Sequence, residues 1–230
     1  MVNAKKIENS FIASYDVKST NNPTYIMNIF GNEINFSNIE IYYMNNSRIF
    51  PYIEYKDGDS ILSDKNCLVS YKFSQKGINT IKVIITQALS KMNGLFDICS
   101  DLVNISFSET FDTSHVKTMD EMFGSCYSLV NVNVSSFNTN LVSSYFQMFS
   151  LGQKLTSLDL SSFEGRYSCD FIFMFMSVGN LRYIDLSSLY SVYPECNRID
   201  LINVPPNGTV IANRNFKTIY SYNWKIMYKD

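Results

Sequence analysis

The stretch MFGSCYSLVNVNVSSFNT, residues 122–139, decides the fold, because its skeleton returns further along the chain. It comes back as MFSLGQKLTSLDLSSFEG from Met148 and as MFMSVGNLRYIDLSSLYS from Met174, so the copies begin at a constant step. An earlier copy, LFDICSDLVNISF from Leu95, is offset by one position more than that step. A fixed period of about 26 residues predicts structural units that stack on one another, because no single unit can bury its own apolar side.

Each unit has two apolar patterns. In LVNVNV, residues 129–134, Val132 and Val134 alternate with polar residues, which is typical of a half-buried strand. In HVKTMDEMF, residues 115–123, the apolar residues recur at helical spacing over about two turns. The sequence therefore predicts units made of a short strand, a Ser-Ser-Phe corner, a polar loop and a short helix.

Residues 1–84 lack this period and contain five strand-like runs separated by polar breaks such as STNNP: FIASYDV, TYIMNIF, IEIYYMN, LVSYKFS and TIKVIIT. The last two runs lie on either side of Gly77 and are predicted to form a hairpin. We expect an all-β, sandwich-like domain over residues 1–84.

These patterns together predict an α+β protein in three parts. The N-terminal β domain, 1–84, is followed at 85–189 by a leucine-rich-repeat solenoid of about four coils, each of about 26 to 27 residues. Residues 190–230 are predicted to form a shortened last coil, with its strand around Ile199 and Leu201, and a C-terminal cap containing the single tryptophan, Trp224.

The units FDTSHVKTMDEMFGSCYSLVNVNVSSFNT and KLTSLDLSSF resemble the BspA-type leucine-rich repeat over about residues 86–189. The resemblance implies a leucine-rich solenoid of the kind found on surface or secreted proteins of bacteria and some protists, where it serves adhesion. Similar repeats occur in phages of such bacteria. The resemblance brings no catalytic residues. The sequence departs from the pattern at Ser168, where the repeat has valine, and at its start, where no export signal is present.

Charge and hydropathy exclude two classes of partner. With 19 basic and 21 acidic residues the chain has a formal charge of −2, so it lacks the basic surface that nucleic acid requires. No apolar run has the length that membrane insertion needs, and the start is not a signal peptide. We expect a virion- or surface-associated protein, or otherwise a cytoplasmic one.

The residues that commonly carry catalysis or metals form no recognisable set. The five cysteines show no CxxC spacing and are predicted to be buried thiols, with a Cys99–Cys126 disulfide as the alternative. The single histidine, His115, is expected in solvent. The sequence therefore predicts no catalytic residue, no metal site and no cofactor, and the chain is expected not to be an enzyme.

The candidate ligand-binding residues lie between the inward apolar residues of the predicted strands. They should form outward columns about 4.8 Å apart, in which aspartates in register repel one another unless they are solvated or bound. Such columns are either a solvated sheet face or a ligand face, and a cation site is a further alternative. The candidates are Asn131, Asn133, Ser157, Asp159, Tyr183, Asp185 and Asp200.

Two functions remain open from the sequence. The first is a non-enzymatic recognition or adhesion module that binds a protein or glycan ligand. The second is a structural subunit of a larger assembly, such as a phage head or tail decoration or a fibre component, with a homo-oligomer as one form of it.

Overall fold

The structure is a computed structural model that describes residues 9–29, 34–56, 66–164, 171, 173–191, 193, 198–216, 218–220 and 223–229. Across these residues the chain forms fifteen β-strands, a single 3-10 turn at Phe36–Asn38 and no α-helix. The expected runs near the N-terminus are all strands, so that part of the prediction is confirmed.

The strands before the repeats are β1 (Asn9–Val17), β2 (Thr24–Asn28), β3 (Ile39–Tyr43), β4 (Arg48–Ile49), β5 (Tyr52–Lys56), β6 (Asn66–Tyr71) and β7 (Gly77–Ile85). The strands from the first repeat onward are β8 (Leu102–Phe107), β9 (Asn131–Asn133), β10 (Ser157–Asp159), β11 (Tyr183–Leu186), β12 (Arg198–Asp200), β13 (Thr209–Asn213), β14 (Thr218–Tyr220) and β15 (Lys225–Lys229).

Two N-terminal sheets pack against each other. One is the six-stranded sheet β4-β3-β7-β1-β8-β9, and the other is β2-β6-β5. Tyr15 of β1 is fully buried between them, and its hydroxyl donates to the carbonyl of Ile26 at 2.7 Å. This arrangement is compatible with the expected β-sandwich. The predicted hairpin around Gly77 is wrong, because the turn there carries the chain from one sheet to the other.

The six-stranded sheet extends from the N-terminal strands into the repeats. Strand β1 pairs antiparallel with β7 on one side and with β8, the first repeat strand, on the other. Phe11 of β1 is buried and lies edge-on to Phe96, with ring centroids 5.2 Å apart. The first repeat therefore has a packed neighbour on its N-terminal side.

The repeats stack as successive turns of the chain, which we call coils. Strands β10, β11, β13 and β15 pair in parallel in that order, with Leu158, Ile184, Val210 and Ile226 in register. Inside the stack one aromatic ring per coil faces the next: the centroids of Phe96 and Phe123, of Phe123 and Phe149, and of Phe149 and Phe175 are 5.4, 5.4 and 6.1 Å apart. All four rings of this column are fully buried.

The predicted α+β class is wrong, and so is the solenoid with a helical side, because no repeat contains a helix in the described residues. Residues 115–123 form separate turns instead. Glu121 and Ser125 have positive φ angles of 55° and 54°. Their equivalents in the next coil, Gln147 and Leu151, have φ angles of 54° and 62°. A left-handed residue at two fixed positions in each coil ends any right-handed helix.

The hydrogen bonds of the backbone amides also exclude an α-helix in the repeats. The amide of Phe123 donates to the carbonyl of Met148 at 2.9 Å, and that of Phe149 donates to Met174 at 2.9 Å. These amides bond to the following coil, so they are not available for the bonds between residues four apart that define an α-helix. The apolar residues of 115–123 recur at helical spacing because successive compact turns direct them to the same inward side of the coil.

The last part of the stack also differs from the prediction. The strand that continues the sheet after β11 is β13, whose Val210 lies one full period after Ile184 and in register with it. Ile199 lies in β12 and Leu201 directly follows it; among the described residues β12 pairs only with β14, in a separate two-stranded sheet. The period thus extends one coil further than its sequence motif, because Val210 and Ala212 keep the inward pattern after the Ser-Ser corner is lost.

Trp224 is packed against the last coil by close contact with a glycine. Its ring Nε1 donates to the carbonyl of Pro205 at 2.7 Å, and a Cβ placed on Gly208 would lie 2.6 Å from three of its ring carbons. Only glycine leaves room for the indole at this position, so Gly208 fixes how β15 begins.

Candidate functional site

The predicted ligand residues fall on three different sheets. Asn131 and Asn133 lie on β9 in the six-stranded sheet. Ser157 and Asp159 on β10, and Tyr183 and Asp185 on β11, share the parallel sheet with β13 and β15. Strands β9 and β10 belong to separate sheets, so the stack of outward residues is divided at this point.

The amide side chains form ladders with the preceding strand. The amide nitrogen of Asn131 donates to Asn104 Oδ1 at 2.8 Å, and that of Asn133 donates to Ser106 Oγ at 3.4 Å. Both asparagines are exposed. Their ladders stabilise the junction between β8 and β9.

The prediction that Asp200 joins the column of Asp159 and Asp185 is wrong. Asp200 is opposite Tyr220 in the two-stranded sheet, and the residue in register with Asp185 on the next coil is Ile211. The backbone shows where β12 belongs, because the amide of Ser177 donates to the carbonyl of Ile202 at 2.8 Å. Strand β12 therefore lies next to the turns of the previous coil and not next to its strand.

We use the name strand face for two rows of outward side chains that run across β10, β11, β13 and β15. The first row is Ser157, Tyr183, Thr209 and Lys225, and the second is Asp159, Asp185, Ile211 and Met227.

Four residues of the strand face were missed by the sequence analysis. They are Thr209, Ile211, Lys225 and Met227, and all of them lie beyond the last recognised repeat. A signal for the first two was present, because Val210 and Ala212 stand one period after Ile184 and Leu186. Strand β15 follows β13 at a spacing shorter than the period, and its signal in the sequence was the alternation of Ile226 and Tyr228.

The acidic residues of the strand face also build turns. Asp159 Oδ1 accepts the backbone amide of Ser161 at 3.0 Å, and Asp185 Oδ1 accepts that of Ser187 at 2.9 Å. Asn133 makes the equivalent bond to Ser135 at 3.1 Å. This bond to the amide two residues on is the usual way in which Asp and Asn begin a turn. Substitutions here must keep the acceptor oxygen if they are to report on binding.

Charges of both signs meet at the end of the strand face. Hydrogen bonds from the hydroxyl and the backbone amide of Ser161 lower the pKa of Asp159, and the charge of Lys229 lowers it further. Burial raises the pKa of Tyr183, and the charges of Asp185 and Asp159 raise it further. At neutral pH the strand face therefore presents an ionised Asp159 near Lys229 and an un-ionised phenol.

The cysteines and the histidine lie away from the strand face. Cys99 and Cys126 are buried free thiols, and Cys126 Sγ donates to the carbonyl of Phe96 at 3.1 Å. Burial raises the pKa of both thiols, which keeps them protonated and unreactive. His115 is exposed, with Nδ1 3.0 Å from Ser114 Oγ. The thiols of Cys67, Cys169 and Cys196 lie outside the described side chains.

Among the described residues, no three His, Cys, Asp or Glu side chains come together in a way that would hold a metal ion. Within the same residues there is no helix of the length and apolarity needed to cross a membrane.

Comparison with known proteins gives a family match. A family model described as "Mycoplasma protein of unknown function, DUF285" matches residues 68–187, slightly more than half of the chain. No curated protein and no solved structure matches. The expected membership of the BspA-type leucine-rich-repeat family is wrong, because no model of that family matches the repeats. The chain belongs to the family described as Mycoplasma protein of unknown function, DUF285.

Proposed function

We propose that the chain is a non-enzymatic recognition module that binds a protein or a glycan on the strand face. The observation that carries the proposal is the pair of rows across β10, β11, β13 and β15, in which polar, charged, aromatic and apolar side chains stand side by side in register. Stacked-repeat proteins commonly bind along such a continuous surface.

The composition of the rows supports recognition of a polar partner. Tyr183 offers a partly exposed ring and a hydroxyl, and Asp159 and Asp185 offer carboxylate acceptors on adjacent strands. Planar polar groups beside an aromatic ring suit both a sugar and a polar protein surface. The inward residues Leu158 and Ile184, by contrast, are fully buried and serve the core.

The test uses a variant that changes the strand face and preserves the turns. Asp159→Asn and Asp185→Asn keep an acceptor oxygen for Ser161 and Ser187 but remove the charge, and Tyr183→Ala removes the ring. The triple variant and the natural chain are applied to a printed glycan array and a printed array of cell-surface proteins. We expect spots that retain the natural chain to lose at least tenfold in signal with the variant.

The matched control alters exposed residues away from the strand face. Glu109→Gln and Tyr127→Ala change one charge and one aromatic ring on exposed positions. This control should bind as the natural chain does, and circular dichroism should show that both variants remain folded. Equal retention of the triple variant and the natural chain would rule out the strand face as the binding site.

A second candidate function is a structural subunit of a larger assembly such as a virion. The observation in its favour is a set of exposed apolar residues near the β3–β4 hairpin: Met44, Phe50 and Tyr52 are 56%, 76% and 60% exposed. Contiguous exposed apolar patches are typical of contact surfaces. Arg48 lies over the Phe50 ring, 5.6 Å from its centroid.

The assembly hypothesis is tested by light scattering over a concentration series. A species larger than the 26.4 kDa chain, which Phe50→Ser with Tyr52→Ser converts to the monomer, would support a self-assembling subunit. A monomer at every concentration would exclude self-assembly through this surface and leave the recognition module as the favoured function.

A further inference from the structure

Strand β15 is the last strand of its sheet and has one open edge. It pairs in parallel with β13, and no strand among the described residues pairs with its other side. The amide of Lys225 donates to the carbonyl of Gly208 at 2.8 Å, in the register that places Lys225 opposite Thr209. In a parallel ladder alternate residues bond to the same neighbour. Lys225, Met227 and Lys229 therefore direct their backbone groups to β13.

The intervening residues direct their backbone groups to the open edge. Ile226 and Tyr228 thus present two N–H and two C=O groups away from the sheet. Unpaired edge groups of this kind are the template on which an extended segment is added as a further strand. The edge offers four hydrogen bonds, which is enough to fix the register of a five-residue segment.

The side chains of the same two residues are incompletely covered. Tyr228 is in register with Ala212 and Leu186, which are fully buried, yet it is 48% exposed. Ile226 is in register with the buried Val210 and is itself only partly buried. Each inward residue of the stack is covered by the coil that follows it, and β15 has no such coil among the described residues. An added strand would cover both side chains.

The charges of β15 decide what kind of strand fits. The strand carries Lys225 and Lys229 on its outward side, both exposed, and no acidic residue. A second copy added antiparallel around Met227 would place Lys225 opposite Lys229 twice, and like charges directly opposite destabilise a strand pair. A segment with acidic residues at those two positions would instead form two favourable cross-strand pairs.

We propose that the open edge of β15 binds an extended segment of a partner protein that has acidic residues at its first and fifth positions and apolar residues between them. The second and fourth residues cover Ile226 and Tyr228, and the third lies beside Met227. This surface shares Lys225 and Met227 with the strand face, but its backbone groups are ones that the proposed recognition function does not require.

The probe is a fluorescently labelled, terminally blocked peptide with the core Glu-Val-Leu-Val-Glu. This core reads the same in both directions, so it serves a parallel or an antiparallel strand. Fluorescence anisotropy with the 230-residue chain should show saturable binding that weakens as salt is raised, because exposed charge pairs are screened. The matched peptide Lys-Val-Leu-Val-Lys should bind at least tenfold more weakly. Absence of saturable binding by the acidic peptide would overturn the proposal.

Charge reversal separates recognition from simple protection of the edge. Lys225→Glu with Lys229→Glu should exchange the preference, so that the lysine peptide binds at least tenfold more tightly than the glutamate peptide. The matched control, Lys117→Glu with Lys154→Glu, changes two exposed lysines elsewhere and should leave the preference unchanged. If the lysines serve only to keep other strands away, reversal will leave neither peptide bound, and the proposal fails.

Backbone methylation tests whether the peptide is added as a strand. Methylation of the two valine amides blocks an antiparallel strand, and methylation of the leucine and second glutamate amides blocks a parallel one, because different amides face β15 in the two cases. One of the two methylated peptides must lose binding. Retention of binding by both would place the peptide elsewhere, and a dimer of the natural chain that dissociates as the acidic peptide is added would make a second copy the occupant; either result overturns the proposal.

Discussion

The two ends of the coil stack are closed to different degrees. At the first coil, β8 is covered by β1, and the inward residues Ile105 and Phe107 are 2% and 5% exposed. At the last coil, β15 has an open edge and Tyr228 is 48% exposed. Residues at equivalent inward positions thus differ because one has a covering strand and the other has none among the described residues. Coverage by the neighbouring coil, and not residue type, determines which apolar side chains are core.

The largest expected effect is the loss of packing at the covered end. Phe11→Ala removes a buried ring that contacts Phe96 and Phe107, with centroids 5.2 and 5.6 Å away. We expect the free energy of unfolding to fall by about 3–5 kcal/mol, as for other buried Phe→Ala changes. Urea titration followed by circular dichroism measures this.

The matched variant at the open end is Tyr228→Ala. Because half of that side chain is in solvent, we expect a loss below about 1 kcal/mol. Equal losses at Phe11 and Tyr228 would show that the last coil is covered in solution and that the comparison between the ends is wrong.

A smaller effect concerns a carboxylate on the first coil. Burial raises the pKa of Asp97 to about 6, and the charge of Glu121 adds to this. Since the folded pKa is above the unfolded one, the folded state binds the extra proton, and stability falls as pH rises from about 4 through 6. The covered end should therefore be weaker in mild alkali than in mild acid.

Asp97→Asn removes this dependence. The full shift corresponds to about 3 kcal/mol, which solvent screening of a half-buried group reduces to about 1 kcal/mol. We expect the variant to gain that amount at pH 8 and nothing at pH 4 in urea titrations. Asp112→Asn is the control of opposite sign, because hydrogen bonds from Ser114 lower the pKa of Asp112. A gain for Asp97→Asn that does not vary with pH would contradict the explanation.

The smallest effect lies in the middle of the stack. Gln147 has φ of 54°, a conformation that glycine adopts without steric cost. Gln147→Gly should raise the free energy of unfolding by about 0.5 kcal/mol, whereas glycine ordinarily destabilises. Asn140→Gly, at an exposed position without positive φ, is the control and should lower it. Destabilisation by both glycines would mean that the coil turns are not left-handed there.

Prediction from sequence succeeded best for the inward residues of the repeats. Met122, Phe123 and Leu129 are all fully buried, as their recurrence once in every period indicated. The candidate site was predicted less well. Asp159 and Asp185 do lie in register, but Asp200 does not join them, because the next strand of the sheet begins at Thr209. The motif ends one coil before the structural period does.

The turn role of the candidate acids also escaped prediction. Asp159 and Asp185 were singled out as outward polar residues, and each accepts an amide two residues further on. The recurring Asp-Leu-Ser-Ser sequence carried this signal, since Asp followed by Ser at a strand end favours such a turn. The side chains that complete the strand face, Lys225 and Met227, lie outside the repeat motif.

The sequence by itself determined the period and the inward residues of the coils. A large apolar side chain such as Phe149 must be buried, and its repetition along the chain marks the positions where burial recurs. Only the tertiary structure decided the conformation of the segments between these inward residues. Whether residues 115–123 become a helix depends on where their amides bond, and the next coil competes with the helix for them. The pairing of β1 with β8 and the open edge of β15 likewise depend on contacts between distant segments, which local pattern does not encode.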